Sequence, residues 1–280
     1  MNRKMSLTNR QIVAKICLWC IVVAVVNPGG SAAFALDPMG PPLAGLREGQ
    51  FSFGADVALG ETDLKLVDGT WVNTTITPST GVTSDKTVDF ETTKLLATAG
   101  YGFARNWEAF LGIGATKAEF GDDLWSVGED FDSGIGLGVR GGVKTTLFEI
   151  PELNLQIGAL LQLNWANYDG KLDVPQQAGP DFVEVDLIEM QIAVGATYPC
   201  KEGITVYGGP FVHYISGDLE ELDTVGAYDI TWEIDEGPTW GAYIGAQMEI
   251  APNCVFNIEY QHSSDANVLG ASLMWKFGDS

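Results

Sequence analysis

The chain has 280 residues, 46% of them hydrophobic, and a formal net charge of −22. This length fits one large all-β domain or two small domains, and the 34 glycines disfavour a helical protein because glycine destabilises helix interiors. The negative charge argues against nucleic acid and other polyanions as direct partners.

The N-terminus has the pattern of a cleavable signal peptide over residues 1–35. An apolar stretch at 16–26 follows a basic segment, and Ala33-Phe34-Ala35 supplies the small residues that signal peptidase accepts. Eleven apolar residues are too few for a membrane-spanning helix, which needs about 20. The basic segment contains Arg3, Lys4, Arg10 and Lys15.

Cleavage would leave 11 basic against 37 acidic residues and two cysteines, Cys200 and Cys254. A cysteine pair in an exported chain is a candidate disulfide because the periplasm is oxidising. Both cysteines fall in predicted turns two strands apart, which start about 10 Å from each other. A disulfide needs Cα atoms within about 7 Å, so the bond requires these turns to lean together.

Residues 36–48 carry three prolines and predict an extended periplasmic leader. From residue 49 to 277 the side chains alternate between apolar and polar with period 2, which is typical of β-strands. Between 153 and 165, for example, Leu153, Leu155 and Ile157 share one face and Gln156 lies on the other. The predicted strands are 50–66, 86–101, 107–120, 133–147, 153–168, 182–198, 204–217, 229–250, 255–263 and 267–277.

The lengths of these strands and of their connections indicate a membrane barrel. Membrane strands need about 9–11 residues, whereas soluble strands usually have five or six. Short predicted turns at 102–106, 148–152, 199–203 and 251–254 alternate with long polar connections at 67–85, 121–132, 169–181 and 218–228, as in outer-membrane barrels. We therefore predict an all-β fold, a closed antiparallel up-and-down transmembrane barrel of about ten strands. Eight strands, or a soluble secreted β-sandwich that binds a ligand, stay open as alternatives.

The last strand resembles the C-terminal targeting strand of outer-membrane proteins. In Leu269–Phe277, apolar or aromatic residues occupy every second position up to Leu273, Trp275 and Phe277. The segment Tyr-Gly-Phe-Ala-Arg-Asn-Trp at 101–107 is similar to hairpins of OmpA-type and other small outer-membrane barrels. The chain departs from the pattern of that family in one respect: residues 278–280 follow the phenylalanine, which is usually the last residue. The resemblance implies an outer-membrane location, insertion by the outer-membrane assembly machinery, and lipid and lipopolysaccharide as neighbours. We expect a monomer without a cofactor.

The polar face of the predicted strands carries charges of both signs. In a ten-stranded barrel the interior is narrow and filled by side chains, so these charges are expected to pair and close the lumen. Glycines on the same face leave space, which favours the alternative of a thin channel. The predicted lumenal charges are Asp56, Lys94, Arg140, Lys144, Glu189, Glu249 and Glu259.

The acidic connections contain oxygen ligands of the kind that Ca²⁺ prefers. Their spacing matches no dedicated calcium loop, so we expect a solvated, repulsive surface. A weaker expectation is that divalent ions bridge this surface to lipopolysaccharide. The weak calcium candidates are Asp122, Asp123, Glu129, Asp130 and Asp132.

Two histidines give the sequence its enzyme candidates. Gln261–Ala266 is similar to the His-x-Ser-Asn-Ala segment of outer-membrane lipid A deacylases, which implies His262 as base and Ser264 as nucleophile. Asp265 replaces the expected asparagine, and no glutamate follows to orient the imidazole. His213 is expected to be structural, without the aspartates of omptin proteases. We predict a non-enzymatic barrel with a structural, surface-interaction or small-porin role, and keep a lipid A-modifying hydrolase as the alternative.

Overall fold

The computed structural model describes residues 36–73, 79–120, 131–172, 181–201, 203–222 and 228–278. These residues contain twelve strands and one 3-10 helix, Pro151–Leu153. The strands are β1 (Phe51–Asn73), β2 (Ser79–Val82), β3 (Lys86–Ala104), β4 (Trp107–Phe120), β5 (Phe131–Ser133), β6 (Gly136–Ile150), β7 (Leu155–Leu172), β8 (Asp181–Lys201), β9 (Ile204–Leu222), β10 (Tyr228–Ala251), β11 (Cys254–Ser263) and β12 (Ala266–Phe277). No helix in the described ranges is long and apolar enough to span a membrane.

Ten long strands form one antiparallel sheet that closes on itself. Each pairs with its neighbour in the chain, and β12 returns to β1 in an unbroken register from Phe51↔Phe277 to Thr62↔Ala266. The short strands β2 and β5 extend the sheet beside β1 and β4. The predicted ten-stranded barrel is confirmed. The β-sandwich alternative is wrong, because all the strands of the described residues belong to one sheet that closes into a ring.

Short turns lie at one end of the barrel, which we call the turn end. Each of four tight turns contains a residue with positive φ: Asn106, Asn154, Gly203 and Asn253, with φ between 50° and 76°. Asparagine and glycine tolerate this left-handed conformation at little cost, so the sequence can reverse direction there within a few residues.

The opposite end, the loop end, is narrower than the rest of the barrel. Strands β11 and β12 stop early and are joined by Ser264-Asp265. Beyond this hairpin β1 leaves β12 and pairs directly with β10, beginning at Leu66↔Ile234. The ring therefore contains ten strands over most of its height and eight at the loop end, closed through β1, β3, β4, β5, β7, β8, β9 and β10.

The polarity of the two strand faces inverts where the ring narrows. Along β8, the outward-facing Ile192 and Ile188 are exposed and apolar, and the next outward positions toward the loop end include the exposed Glu184. Inward-facing Glu189 is polar, whereas Val185, closer to the loop end, is apolar and buried. An apolar outer surface suits lipid and a polar outer surface suits water, so the inversion marks one boundary of the membrane.

Aromatic side chains border the apolar band at both of its edges, as in outer-membrane barrels. Six aromatic residues near strand ends are exposed on the outer surface: Trp107, Tyr198, Trp240, Tyr260, Trp275 and Phe277. The closed ring and this band make the protein a transmembrane β-barrel of the outer-membrane type.

A hydrophobic core fills the eight-stranded end. Phe90 packs edge-on against Tyr168, with ring centroids 5.4 Å apart, and Phe120 stacks on Phe131 at 4.4 Å. These rings are almost completely buried, together with Leu64, Leu66, Val88, Val183, Val185, Leu187, Ile215, Leu219, Trp232 and Ile234. We call this group the distal core. It closes the barrel at the loop end.

Candidate functional site

The lumen at the level of the apolar band contains two buried ionic clusters. Arg140 is paired with Asp56, and Thr98 hydrogen-bonds to both. Lys94 Nζ lies 3.0 Å from Glu189 Oε1, and Asn164 donates to the other oxygen of Glu189. Buried charges of this kind are tolerated because each has an opposite charge and a neutral hydrogen-bond partner.

The other three predicted lumenal charges lie in different surroundings. Glu259 is buried and accepts hydrogen bonds from Gln261 and from the backbone N–H of Met39. Lys144 is buried, with its Nζ 5.4 Å from the centre of the Phe110 ring. Glu249 is exposed at the turn end rather than inside the lumen.

The leader, residues 36–48, threads into the lumen, which corrects the expectation that it lies in the periplasm. Lumenal side chains bind its main chain. Glu108 accepts the N–H groups of Gly45 and Leu46 at 2.7 and 3.0 Å, and Arg140 donates to the Pro38 carbonyl. The amides of Gln162 and Gln261 donate to the carbonyl of Asp37, and the Asp37 carboxylate lies 3.6 Å from Lys94.

The leader enters because the barrel supplies both the polar partners and the space that an extended segment needs. A side chain at Gly270 would collide with the ring of Pro38, and one at Gly158 would lie 2.6 Å from the carbonyl oxygen of Pro42. Elsewhere the space left by glycine is filled by rings: Tyr207 packs over Gly245, and Tyr243 over Gly195. At these glycines the space that favoured a thin channel is therefore occupied by the leader or by aromatic rings.

Three cavities follow one another from the turn end into the lumen. An outer cavity of about 650 Å³ is bordered by turn residues and shares Thr205, Gln247 and Lys276 with a middle cavity of about 190 Å³. The middle cavity shares Glu108 and Lys144, among others, with an inner one of about 40 Å³. The inner cavity has room for only a few water molecules. Residues 38–41 of the leader line it, and the distal core lies beyond it.

Carboxylates surround the outside of the eight-stranded end. These side chains face outward directly beyond the apolar band, and we call them the acidic collar. Its members are Glu61, Asp63, Asp89, Glu91, Glu119, Asp132, Asp169, Glu184, Asp186, Asp218, Glu220, Asp229, Glu233 and Asp235.

Carboxylates of the collar stand opposite one another on neighbouring strands. Partial burial, and then the neighbouring Asp89 carboxylate, raise the pKa of Asp63. Lys117 forms ion pairs of 2.6 and 2.8 Å with Glu119 and Asp132, and the hydrogen bonds to these groups raise its pKa. The like-charged pairs are Asp63↔Asp89, Glu91↔Glu119, Glu119↔Asp132, Asp169↔Glu184, Asp186↔Asp218, Glu184↔Glu220 and Asp218↔Glu233.

Of the calcium candidates, Asp132 alone lies in the described residues, where it pairs with Lys117. Asp122, Asp123, Glu129 and Asp130 lie outside them. No group of three or more His, Cys, Asp or Glu side chains in the described ranges is placed to hold a metal ion.

The two residues of the hydrolase candidate, His262 and Ser264, do not contact each other through a hydrogen bond. The Nδ1 atom of His262 lies 2.8 Å from the side-chain oxygen of Asn267, and its ring stacks on Tyr260. Ser264 is exposed in the hairpin turn, and no hydrogen bond links it to His262.

The neighbouring Ser263 instead meets His213 inside the barrel, a contact that the sequence analysis missed. His213 Nε2 lies 3.1 Å from both Ser263 Oγ and Asp265 Oδ1, and Thr239 donates to the other oxygen of Asp265. In a catalytic triad the imidazole stands between acid and hydroxyl. Here both contact the same nitrogen, so the group secures the hairpin where the ring narrows.

The two cysteines do not form the candidate disulfide. Cys200 is exposed at the turn end, with its Sγ 3.8 Å from the Tyr198 carbonyl oxygen. Cys254 is buried among Ile250 and Phe256. The C-terminal strand pairs along its whole length with β1 and places Leu273, Trp275 and Phe277 on its outward face.

No protein-family model and no curated protein matches the chain. Its fold is similar to that of solved outer-membrane barrels. OprG from Pseudomonas aeruginosa has a TM-score of 0.44 at 13% identity, covering 84% of this chain and 99% of that one. The translocator domain of the autotransporter NalP from Neisseria meningitidis has a TM-score of 0.44 at 10% identity, covering 96% and 98%. The outer membrane protease OmpT from Escherichia coli has 0.42 at 11%, covering 81% and 97%.

Proposed function

We propose that the protein is a closed outer-membrane barrel with a surface-interaction role, in which the acidic collar binds divalent cations within the lipopolysaccharide headgroup layer. The observation that carries the proposal is the facing of carboxylates across neighbouring strands of the collar. Like charges directly opposite each other destabilise a sheet. A surface that has this arrangement at six of the eight strand junctions of the narrow ring suits a cationic partner.

The position of the collar favours cations held between protein and lipid. The collar begins where the apolar band ends, at the height of the outer lipid headgroups. Lipopolysaccharide is anionic, so a direct contact would be repulsive, whereas Ca²⁺ or Mg²⁺ binds carboxylate and phosphate oxygens alike. Lys117, which lies beside the collar, is already paired with Glu119 and Asp132.

Two carboxyl groups of the collar have a raised pKa, which agrees with repulsion between neighbouring carboxylates. Burial first, and then Glu119, raise the pKa of Glu91, as burial and Asp89 do for Asp63. A carboxyl group whose pKa is higher in the folded state than in the unfolded state makes the folded protein less stable as pH rises through the carboxyl range. Bound cations would restore that stability at neutral pH.

The experiment measures thermal unfolding in lipopolysaccharide-containing vesicles with Ca²⁺ and with chelator. We expect Ca²⁺ to raise the Tm of the wild type. The double variant D186N/D218N removes one facing pair, so it should be more stable in chelator and should gain less from Ca²⁺. E152Q is the control because Glu152 is an exposed carboxylate at the turn end, away from the collar. An equal gain in all three proteins, or none in the wild type, would contradict the proposal.

A small-porin role is the second candidate, favoured by the cavities at the turn end. The leader and the distal core stand across any path from them to the other side. We therefore expect no steady conductance above background when the purified protein is inserted into planar bilayers. A reproducible single-channel current would favour the porin.

A further inference from the structure

The middle cavity at the turn end contains two buried polar groups without a hydrogen bond or ion pair, although the Lys144 ammonium lies over the Phe110 ring. Lys144 is 9% exposed, and it has neither a carboxylate within 4.0 Å nor a hydrogen bond among the described residues. Thr197 is 5% exposed, and its hydroxyl oxygen has no hydrogen-bond partner there. Both line the same cavity of about 190 Å³.

Lys144 differs in this respect from the two other cations deep in the lumen. Lys94 is held by Glu189 and Asp37, and Arg140 by Asp56. A buried ammonium without an opposite charge is costly, so such groups are normally paired or bind a ligand.

The carboxylates near Lys144 have other contacts, although the second oxygen of Glu259 has no hydrogen-bond partner among the described residues. Glu108 accepts the N–H groups of Gly45 and Leu46, and Glu259 accepts that of Met39. Asp56 is paired with Arg140. The ammonium is therefore available to a group that enters the cavity.

The remaining lining of the cavity suits a compact anion. Lys276 contributes a second ammonium, which donates to the Gly45 carbonyl at 2.8 Å. The other polar side chains of the wall are neutral apart from Glu108, whose carboxylate accepts the N–H groups of Gly45 and Leu46; the neutral ones are Ser52, Gln156, Thr205 and Gln247. The outer cavity of about 650 Å³ shares Thr205, Gln247 and Lys276 with it and gives access from the turn end.

We propose that the middle cavity binds the oxyanion group, carboxylate or phosphate, of a small solute that enters from the turn end. The Lys144 ammonium and the Thr197 hydroxyl hold the anion, and residues 41–46 of the leader form one wall of the site. The barrel would then present a binding site on this side and the acidic collar on the other. The inference stands independently of the cation-binding role of the collar.

Titration calorimetry of the full mature protein in zwitterionic detergent tests the site, with inorganic phosphate and acetate as probes at constant ionic strength. We expect saturable binding of at least one anion. Comparing the affinities for phosphate and for acetate distinguishes a phosphate site from a carboxylate site. K144Q should weaken the binding about tenfold or more, because it removes a charge-assisted hydrogen bond. K117Q is the control and should leave the affinity unchanged, since Lys117 pairs with Glu119 and Asp132 outside the barrel and does not line the cavity.

Folding of each variant is checked by heat-modifiable gel migration. If K144Q does not fold, T197V decides, because valine keeps the shape of threonine and removes only the hydroxyl. It should weaken binding severalfold. Absence of saturable binding of either probe to the wild type at millimolar concentration would overturn the proposal. So would equal affinity in the wild type and in whichever of K144Q and T197V folds.

Discussion

The loss of stability on replacing Arg140 by methionine shows whether water is excluded from the lumen around the Arg140–Asp56 pair. Arg140 is 4% exposed and Asp56 7%, and with Arg140 removed the carboxylate of Asp56 keeps only the hydroxyl of Thr98 among these partners. Breaking a buried pair by removing one partner costs about 3–5 kcal/mol. Arg140 also donates to the Pro38 carbonyl, so the leader loses a contact as well. We therefore expect R140M to lower the free energy of unfolding by about 3–5 kcal/mol.

Two controls separate burial from charge. K117M removes a cation whose side chain is 42% exposed and whose partners are Glu119 and Asp132. An exposed pair is worth about 0–1 kcal/mol, so this variant should change stability little. The double variant D56N/R140M removes both buried charges and should recover much of the stability that R140M loses, because no unpaired charge is left behind.

The assay is reversible urea unfolding in lipid vesicles, followed by tryptophan fluorescence. In a water-filled pore the pair would be screened, and R140M would cost no more than K117M. That result, or a double variant less stable than R140M alone, would refute the description of a plugged and dry lumen. The measurement therefore distinguishes a closed barrel from a channel without recording any current.

The remaining predictions concern the distal core and the cysteines. F90A should lower the free energy of unfolding by about 3–5 kcal/mol, because Phe90 is buried among aromatic rings. L95A is the control, since Leu95 lies on the outer face of the same strand and its loss should cost less. Urea unfolding in vesicles measures both variants. Cys200 should react with maleimide in the folded protein and Cys254 only after unfolding, which mass spectrometry detects; a non-reduced mass two hydrogens lower would instead reveal a disulfide.

Period-2 alternation was sufficient to predict the barrel wall. The predicted strand 107–120 agrees with Trp107–Phe120, and the other long strands were placed with ends shifted by at most seven residues. Alternation is a strong signal in this protein because each strand has lipid on one side and packed polar groups on the other. Both environments select side chains at every second position.

The loop-end limits of several strands were predicted too short, for a physical reason. Residues 218–222 were interpreted as a loop because they are acidic, yet they continue β9 to Leu222. Beyond the membrane boundary the outward positions become charged and the inward ones apolar. The alternation continues with its polarity reversed, so the charged residues there gave the signal of a loop.

The position of the leader could not be predicted from its own residues. Three prolines indicate an extended segment but say nothing about which side of the barrel wall it lies on. Its place depends on partners far away in the chain, such as Glu108 and Glu259, which accept its N–H groups. Glu108 occupies a lumenal position in the alternation, so its omission from the predicted charges was avoidable. The contact of His213 with Asp265 depends on the strand register, which the sequence alone did not supply.

The closure of the barrel at two levels limits where a function can reside. A solute crossing the lumen would have to displace the leader, with its ionic and main-chain contacts, and then the rings of the distal core. The second step would expose buried apolar surface of the eight-stranded ring, which is costly in water. Each end nevertheless carries chemistry that closure does not explain: facing carboxylates outside, and an unpaired ammonium, Lys144, in a cavity inside. The two proposed sites are therefore separate, with the leader and the distal core between them.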